Sequence, residues 1–381
     1  MENFVAYNPT KVIFGKGCIS KLAHEVSQYG SRALVLIGRG SVKTNGILSQ
    51  VLAQLEKANV TYSLFEGIKS NPIYQDADRA VAQARAFKAE VIVAVGGGSV
   101  IDSAKAIAVG YYVEHSVWDF YIRKAPAPQR ALPILAVLTL AATGTEMNMF
   151  TVLQNDATKQ KVGYGSPLMY PKVSFLDPEF TYSVSANYTA YGIADLISHC
   201  LEQYFDKSHS PLSDSFTIEA IRLAMEYGIK VMENLYDYDA RANLMWLATV
   251  ALNGALSAGK KGGDWGVHAI EHTLSVLFDI PHGAGLSIVY PAWLKYFYPQ
   301  IESKLTLLAQ RIISPAAKAQ DFIQHLEEFY QNIQTPIRLR EVNILPDKHN
   351  LILDNLVQTN ANGSFFKMKK TDYEQIIQLM S

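Results

Sequence analysis

The sequence predicts an α/β N-terminal domain followed by an all-helical C-terminal domain. Up to about Val184, short apolar runs ending in glycine alternate with amphipathic stretches. That is the pattern of parallel strands joined by crossover helices. Beyond it, alanine, leucine and long amphipathic segments dominate. The chain has 381 residues, which fits two domains better than one core. The expected division is 1–184 and 185–381.

The elements follow in order. Lys11-Val-Ile-Phe14 before Gly15 reads as a strand and turn. Ala33 to Ile37 is a buried strand that ends in Gly38-Arg39-Gly40. Residues 47–58 read as a helix with Ile47, Leu48, Val51, Leu52 and Leu55 on one side. Thr61 to Phe65 is β-rich, and the alanine-rich 75–88 reads as a helix. Val91 to Val95 is a second buried strand, followed at once by Gly96-Gly97-Gly98-Ser99 and a helix to about Val109. Ile134 to Leu138 is a further strand. The boundary falls in Leu176 to Ser185. Helices are then expected over 186–205, 212–234, 239–258, 264–278, 286–297, 300–312 and 317–331.

Composition excludes several classes. Hydrophobic residues are 49% and charged residues 18%, a globular balance. A formal net charge of −1 gives no electrostatic case for nucleic acid or an anionic membrane. The long uncharged run Ala131 to Thr145 is too short to span a bilayer and is broken by Pro133 and Gly144. The N-terminus lacks the pattern of a signal peptide. Two distant cysteines, Cys18 and Cys200, make no framework, so a reduced cytoplasmic compartment is expected.

Three polar loops end predicted strands, where a doubly wound sheet binds its ligand. They are Gly38-Arg39-Gly40-Ser41 with Lys43, Gly96 to Ser99 with Asp102 one turn on, and Thr139 to Glu146 with Thr143. Glycines admit a phosphate to the backbone, and a helix N-terminus offers free N–H groups. An acidic residue at position 39 would bond a ribose hydroxyl; Arg39, with Ser41 and Lys43 near it, would accept a 2′-phosphate. NADP(H) is therefore expected over NAD(H).

A second constellation lies in the helical half. Asp195 and His199 stand at i and i+4, as do His268 and His272, and His282 follows in a Gly/Pro-punctuated bend. One carboxylate and three imidazoles, Asp195, His199, His268 and His282, suit Zn²⁺ or Fe²⁺ better than Mg²⁺ or Ca²⁺. Such a metal would act as a Lewis acid. His272 could ligate or carry a proton. Asn148, Phe150, Asp264 and Trp265 are substrate-pocket candidates by proximity to these motifs.

On these residues the chain resembles the iron-containing (group III) alcohol dehydrogenases, in the branch of butanol dehydrogenases and NADPH-dependent aldehyde reductases. The resemblance covers nearly the whole chain. It rests on Asn8 to Gly15, Asn71-Pro72, Gly96 to Lys105, Thr139 to Glu146, Asp195-x-x-x-His199, Asn253-Gly254, and His268-x-x-x-His272 up to His282. It implies a dehydroquinate synthase-like fold with a cleft between its domains. It implies one divalent metal on Asp195, His199, His268 and His282. It also implies a dinucleotide on Gly96 to Ser99 and Thr139 to Thr143, with Lys161 a further contact. Asn71, Asp102 and Asn148 join these as candidate cofactor contacts. Members that prefer NAD usually carry Asp where this chain has Arg39. The activity implied is hydride transfer between NADP(H) and a small primary alcohol or aldehyde, in a cytoplasmic homodimer. Rival readings are an NAD-linked polyol dehydrogenase, a dehydroquinate synthase-like lyase and a non-catalytic NADPH sensor. Arg39, the scarcity of charge around 245–258 and 274–294, and the intact ligand set argue against these in turn.

Overall fold

The computed structural model describes residues 1–381. Its strands are β1 (Lys11–Phe14), β2 (Arg32–Gly38), β3 (Thr61–Ile68), β4 (Val91–Gly96), β5 (Ile134–Leu138), β6 (Phe150–Asn155), β7 (Gln160–Gly165) and β8 (Val173–Leu176). Six of them form one parallel sheet in the order β3-β2-β4-β5-β8-β1. β6 and β7 form a separate antiparallel hairpin. Helices α1 (Leu22–Val26), α2 (Ser41–Thr44), α3 (Ile47–Lys57), α4 (Tyr74–Phe87), α5 (Gly98–Gly110) and α6 (Trp118–Tyr121) complete this α/β unit.

The apolar runs are continuous because both faces of the sheet are covered. Leu34, Leu36, Ile92, Ala94, Ile134 and Ala136 join one core with α4 and α5. Their alternate neighbours Val35, Ile37, Val93, Val95, Leu135 and Val137 join the other, with Leu22 and Val51. The chain runs outward from β2 to β3, then returns to β4 and runs the other way. The ends of β2 and β4 thus flank the switch in strand order, where such sheets open a crevice. The loops after Gly38 and Gly96 start there.

The hairpin and β8 were not among the predicted strands. β6 carries Thr151, Gln154 and Asn155 among its apolar residues, and β8 is only four residues long. Neither gives a clear period.

The second unit is helical: α7 (Ala186–Tyr204), α8 (Pro211–Glu233), α9 (Tyr238–Ala251), α10 (Gly266–Phe278), α11 (His282–Ile312), α12 (Ala319–Asn332), α13 (His349–Thr359) and α14 (Lys370–Met380). The expected helix 239–258 stops at Ala251, because Gly254 takes φ +99° and a short 3₁₀ turn follows at Ala255–Ser257. The helix expected from 264 starts at Gly266, after Trp265 at φ 68°. The two helices expected at 286–297 and 300–312 are one. Pro291 and Pro299 lie inside α11, whose buried residues include Leu286, Val289, Trp293, Leu294 and Phe297. Packing of that face outweighs the lost backbone hydrogen bonds. α13 and α14 lie beyond the last expected helix.

By contacts, the α/β unit is Tyr7–Val184 plus Arg241–Thr249, and the helical unit is Met1–Ala6, Ser185–Ala240 and Val250–Ser381. A single cut at 184/185 does not describe this exchange of segments. No helix is long and apolar enough to cross a membrane.

Gly283 fixes how α7 and α11 meet: a Cβ there would lie 2.0 Å from the Tyr191 carbonyl oxygen. Gly283→Ala is expected to destabilise the protein by about 3 kcal/mol or more, the upper range for overpacking. Urea unfolding checks this through a lowered midpoint.

Candidate metal and dinucleotide sites

α7 presents Asp195, His199 and Glu202 at i, i+4 and i+7, on one face. α10 brings His268 and His272 one turn apart. His282 opens α11 directly after Pro281. Asp195, His268 and His282 each offer a ligand atom within 4.8 Å of the others. Asp195 Oδ1 lies 3.5 Å from His199 Nε2, 3.8 Å from His282 Nε2 and 3.9 Å from His268 Nε2. All four expected ligands therefore meet at one carboxylate oxygen. Tetrahedral metal–ligand bonds of about 2.1 Å place ligand atoms about 3.4 Å apart, close to these spacings.

Two of these four atoms, Asp195 Oδ1 and His268 Nε2, lack a hydrogen-bond partner. Asp195 Oδ1, His199 Nδ1 and His268 Nε2 are buried with no hydrogen bond. Buried polar groups are normally satisfied, so the two orphans that face each other here, Asp195 Oδ1 and His268 Nε2, fit a cation. Burial opposes the Asp195 charge, yet the imidazoles of His199, His282 and His268 hold it well below the usual carboxylate range. Burial pushes His199 down to about 4. It also works against charge on His268, but Asp195 and Glu202 raise that imidazole to about 9.

Two further carboxyl groups, absent from the sequence reading, orient the imidazoles. Glu202 Oε1 lies 3.0 Å from His268 Nδ1 and accepts the His268 backbone N–H at 3.1 Å. Its Oε2 accepts the Trp265 N–H at 2.5 Å. One buried carboxylate thus fixes a ligand's ring and caps the start of α10. Glu271 faces His282 Nδ1 and accepts from the Ser275 hydroxyl. Gly285 leaves room for it, since a Cβ there would lie 2.7 Å from Glu271 Oε1. The only sequence signal was spacing: Glu202 continues the Asp195/His199 face.

His272 is partly exposed beside His282, with ring centroids 5.8 Å apart. Of the pocket candidates, Trp265 packs its ring 5.2 Å from that of His268 and 6.0 Å from that of His199. Phe150, in the α/β unit, is 47% exposed. Asp264 is no pocket wall. It is buried, and its carboxylate accepts from the backbone N–H groups of Phe365, Phe366 and Gly266. It ties the 362–366 segment to the start of α10. Cys200 is fully buried, and burial pushes its thiol up to about 12.

In the α/β unit, Gly96 ends β4 and Gly98 starts α5. A Cβ on Gly98 would lie 2.8 Å from Thr143 Oγ1, and one on Gly97 3.2 Å from Leu140 Cβ. Glycine therefore lets the second and third polar loops touch. The Thr139 N–H donates to the Gly96 carbonyl at 3.1 Å, and the Ser99 hydroxyl donates to the Ser70 carbonyl. Lys161 Nζ donates to Asn71 Oδ1 at 3.2 Å, so two of the expected cofactor residues meet. Asp102 and Asn148 bond within the protein. Asp102 accepts from Thr145 Oγ1 at 2.5 Å and Val152 N–H at 2.8 Å. Asn148 accepts from Lys105 Nζ and the Phe150 N–H and donates to the Gly144 carbonyl. Around the first loop, Gly40 takes φ +119°, Arg39 and Ser41 are exposed, and Lys43 pairs with Glu66.

A sheet with a glycine loop at its switch point, and helices that gather a carboxylate and three imidazoles, define a dinucleotide- and metal-dependent oxidoreductase architecture. Comparison with known proteins gives the family. Residues 9–178 match the model of iron-containing alcohol dehydrogenases, and residues 189–381 match the C-terminal model of the Fe-containing alcohol dehydrogenase family. The chain belongs to the iron-containing alcohol dehydrogenase family. It is 38% identical to the probable NADH-dependent butanol dehydrogenase 1 of Bacillus subtilis, covering 100% of this chain and 99% of that one. It is 33% identical to the NADPH-dependent aldehyde reductase YqhD of Escherichia coli over 90% of this chain and 89% of that one. The crystal structure of NADH-dependent butanol dehydrogenase A from Thermotoga maritima superposes with a TM-score of 0.97 at 39% identity, covering 100% and 99% of the two chains. The expected family and fold class stand, as does an oxidoreductase of the alcohol dehydrogenase type that works with a nicotinamide cofactor and a metal.

Two outcomes test the ligand geometry. Glu202→Gln is expected to weaken divalent-metal binding by about 10–100-fold, read by chelator competition. The second concerns pH. In the metal-free protein His268 holds a proton up to about pH 9, and a metal must displace it. Apparent Zn²⁺ affinity should therefore rise about tenfold per pH unit between about 6.5 and 8.5. A flat profile in that range would count against His268 as a ligand.

Proposed function

We propose that the protein interconverts a small primary aldehyde and its alcohol, of about butanol size, with hydride exchanged through NADP(H). The α/β unit holds the dinucleotide, and the helical unit holds one divalent metal on Asp195, His199, His268 and His282. The observation that carries the metal assignment is the gathering of three imidazole Nε2 atoms within 3.9 Å of Asp195 Oδ1, with Asp195 Oδ1 and His268 Nε2 buried and without a hydrogen bond. The donor set accepts either iron or zinc. When bound, the metal supplies Lewis acidity toward the substrate oxygen and the nicotinamide supplies hydride chemistry.

The chain's own residues do the rest. Asp195 anchors three imidazoles from three helices at one point. Glu202 and Glu271 hold the Nδ1 atoms of His268 and His282, which turns the Nε2 atoms inward. The Trp265 indole covers His199 and His268 and keeps water from them. His272, partly exposed beside His282, passes the proton to or from the substrate oxygen through its ring nitrogen.

For the dinucleotide, Gly38 to Ser41, Asn71, Gly96 to Ser99, Thr139, Thr143 and Lys161 are the proposed contacts. Asp102 and Asn148 support the loop from within. The preference for NADP(H) rests on Arg39, which is exposed. Lys43 adds less than its position suggested, because Glu66 pairs with it. The relatives' names pull the other way at higher identity, with NADH-dependent enzymes at 38% and 36% and an NADPH-dependent one at 33%. β1 lies at the edge of the sheet, and such an edge favours pairing with a second copy. A cytoplasmic homodimer is the inferred form, and the free thiols of Cys18 and Cys200 suit that reducing setting.

Stripping the metal should abolish butyraldehyde reduction, and Zn²⁺ or Fe²⁺ should restore it. Asp195→Asn should lose bound metal and turnover together. Turnover by a metal-free Asp195→Asn variant would refute the assignment. Arg39→Asp should move the ratio of kcat/KM for NADPH over NADH toward NADH by at least about tenfold, the factor that about 1.4 kcal/mol represents. An unchanged ratio would remove Arg39 from cofactor choice.

A further inference from the structure

Lys105 lies in the middle of α5 and is fully buried, at 0% exposure. A buried ammonium is costly and rare unless it is paired and hydrogen-bonded. Burial pushes its pKa down to about 8, against the opposing pull of Asp102 and Glu146. Something must offset that cost, and the structure supplies it in three bonds. Nζ donates to Thr145 Oγ1 at 2.6 Å, to Asn148 Oδ1 at 2.9 Å and to the Phe150 carbonyl at 2.6 Å. An ammonium has three protons, and each has a partner.

All three acceptors lie on one stretch, Thr145 to Phe150, which continues the polar loop after β5. Thr145 passes the connection on, since its hydroxyl donates to Asp102 Oδ1 at 2.5 Å. Asp102 stands one turn before Lys105 on the same helix, and its other oxygen takes the Val152 N–H at 2.8 Å. The loop is thus bonded to the face of α5 by a cation and an anion three residues apart. Other groups pin the loop from outside: the Asn8 side-chain amide donates to the Met147 carbonyl, and the Ser174 hydroxyl to the Glu146 carbonyl. Neither sets the distance between the loop and α5. That distance matters because α5 begins at Gly98, against Thr143 of the same loop.

We propose that Lys105 is a positioning residue for the dinucleotide. It touches no ligand itself, but its ammonium holds the Thr143–Phe150 loop on α5, so that the two glycine- and threonine-rich segments keep the spacing a dinucleotide needs. This rests on the assignment of those segments to the cofactor. Once the charge is gone, Thr145, Asn148 and Phe150 lose their shared donor together, and the bonds that remain, Phe150 N–H to Asn148 Oδ1 and Thr145 Oγ1 to Asp102, leave the charge-assisted link between loop and α5 unreplaced.

The test is reduced-dinucleotide binding to the metal-loaded protein, followed by nicotinamide fluorescence, beside thermal unfolding of the same samples. Lys105→Met keeps the length and the packing but removes the three donors. Its Kd for NADPH and NADH is expected to rise about tenfold, the factor that about 1.4 kcal/mol represents. Val93→Ala, in the opposite core of the same unit, is the comparison: it should lower the Tm with Kd within twofold of the parent. Lys105→Ala should regain cofactor affinity when ethylamine is added, which a general loss of stability would not. Should Lys105→Met fail to fold, Thr145→Val removes one acceptor and leaves the ammonium, and a Kd raised about threefold is expected. Lower Tm with unchanged Kd in the Lys105 and Thr145 variants would overturn the proposal and leave Lys105 as a fold residue. Failure of the parent protein to bind either dinucleotide would instead overturn the cofactor assignment on which it rests.

Discussion

The helical unit is organised around one buried charge. Asp195 is 3% exposed, and an ionised carboxylate in such a place is expensive unless it is compensated. Three imidazoles surround it, yet imidazoles are poor compensation on their own. Two protonated rings this close would repel each other, and burial disfavours charge on each. The outcome is visible in their divergence: His199 is driven down to about 4 while His268 is raised to about 9. Their ring centroids lie only 4.9 Å apart. Asp195 Oδ1 and His268 Nε2 are left buried without a hydrogen bond. A small dication bound there would satisfy both atoms at once.

The surrounding fold serves that constraint with the same residues that build it. Glu202 both fixes His268 and starts α10. The far end of α7 is held as firmly. Lys260 donates to the Gln203 carbonyl, and Lys304 donates to the carbonyls of Tyr204 and Asp206. The Gln203 and Tyr204 carbonyls are among those a helix leaves open at its C-terminus, where cations are favoured, and that of Asp206 lies just beyond. Asp206 then accepts the N–H groups of Lys261 and Gly263 and wraps the connecting loop back toward α10. Ligands carried on helices fixed at their ends keep their geometry better than ligands on free loops.

Much of this was legible in the sequence because it depends on period. The strands at Val91 and Ile134 are apolar at every position, and the Asp195/His199 and His268/His272 pairs repeat the helical interval. What the sequence hid is burial that period does not encode. Glu202, Glu271 and Lys105 sit in helices where a charged residue normally faces water. All three are at 1% exposure or less. Pro291 and Pro299 read as breaks, yet α11 runs through both because its apolar face is packed on other helices. Asp264 beside a ligand motif read as a pocket wall, and only its three backbone partners reveal a clasp. Lys43 shows the opposite limit: the neighbour that pairs with it, Glu66, comes from β3, out of reach of a local reading.

The strained backbone at Trp265 lies beside the candidate metal site. Trp265 takes φ 68°, a left-handed conformation that a bulky residue adopts only at a cost of order 1–3 kcal/mol. Two bonds hold it there: its N–H to Glu202 Oε2, and its Nε1–H to the Gly262 carbonyl at 2.6 Å. Gly262 and Gly263, just before Asp264, also have positive φ, so the chain turns sharply over residues 262–265. A relaxed loop would release the indole from His199 and His268. The strained one keeps it over both rings, and the carboxylate that restrains Trp265 is the one that orients His268. Cap, ring orientation and shield thus depend on a single buried group, Glu202, which links the orientation of the candidate ligand His268 to the start of the helix that carries it.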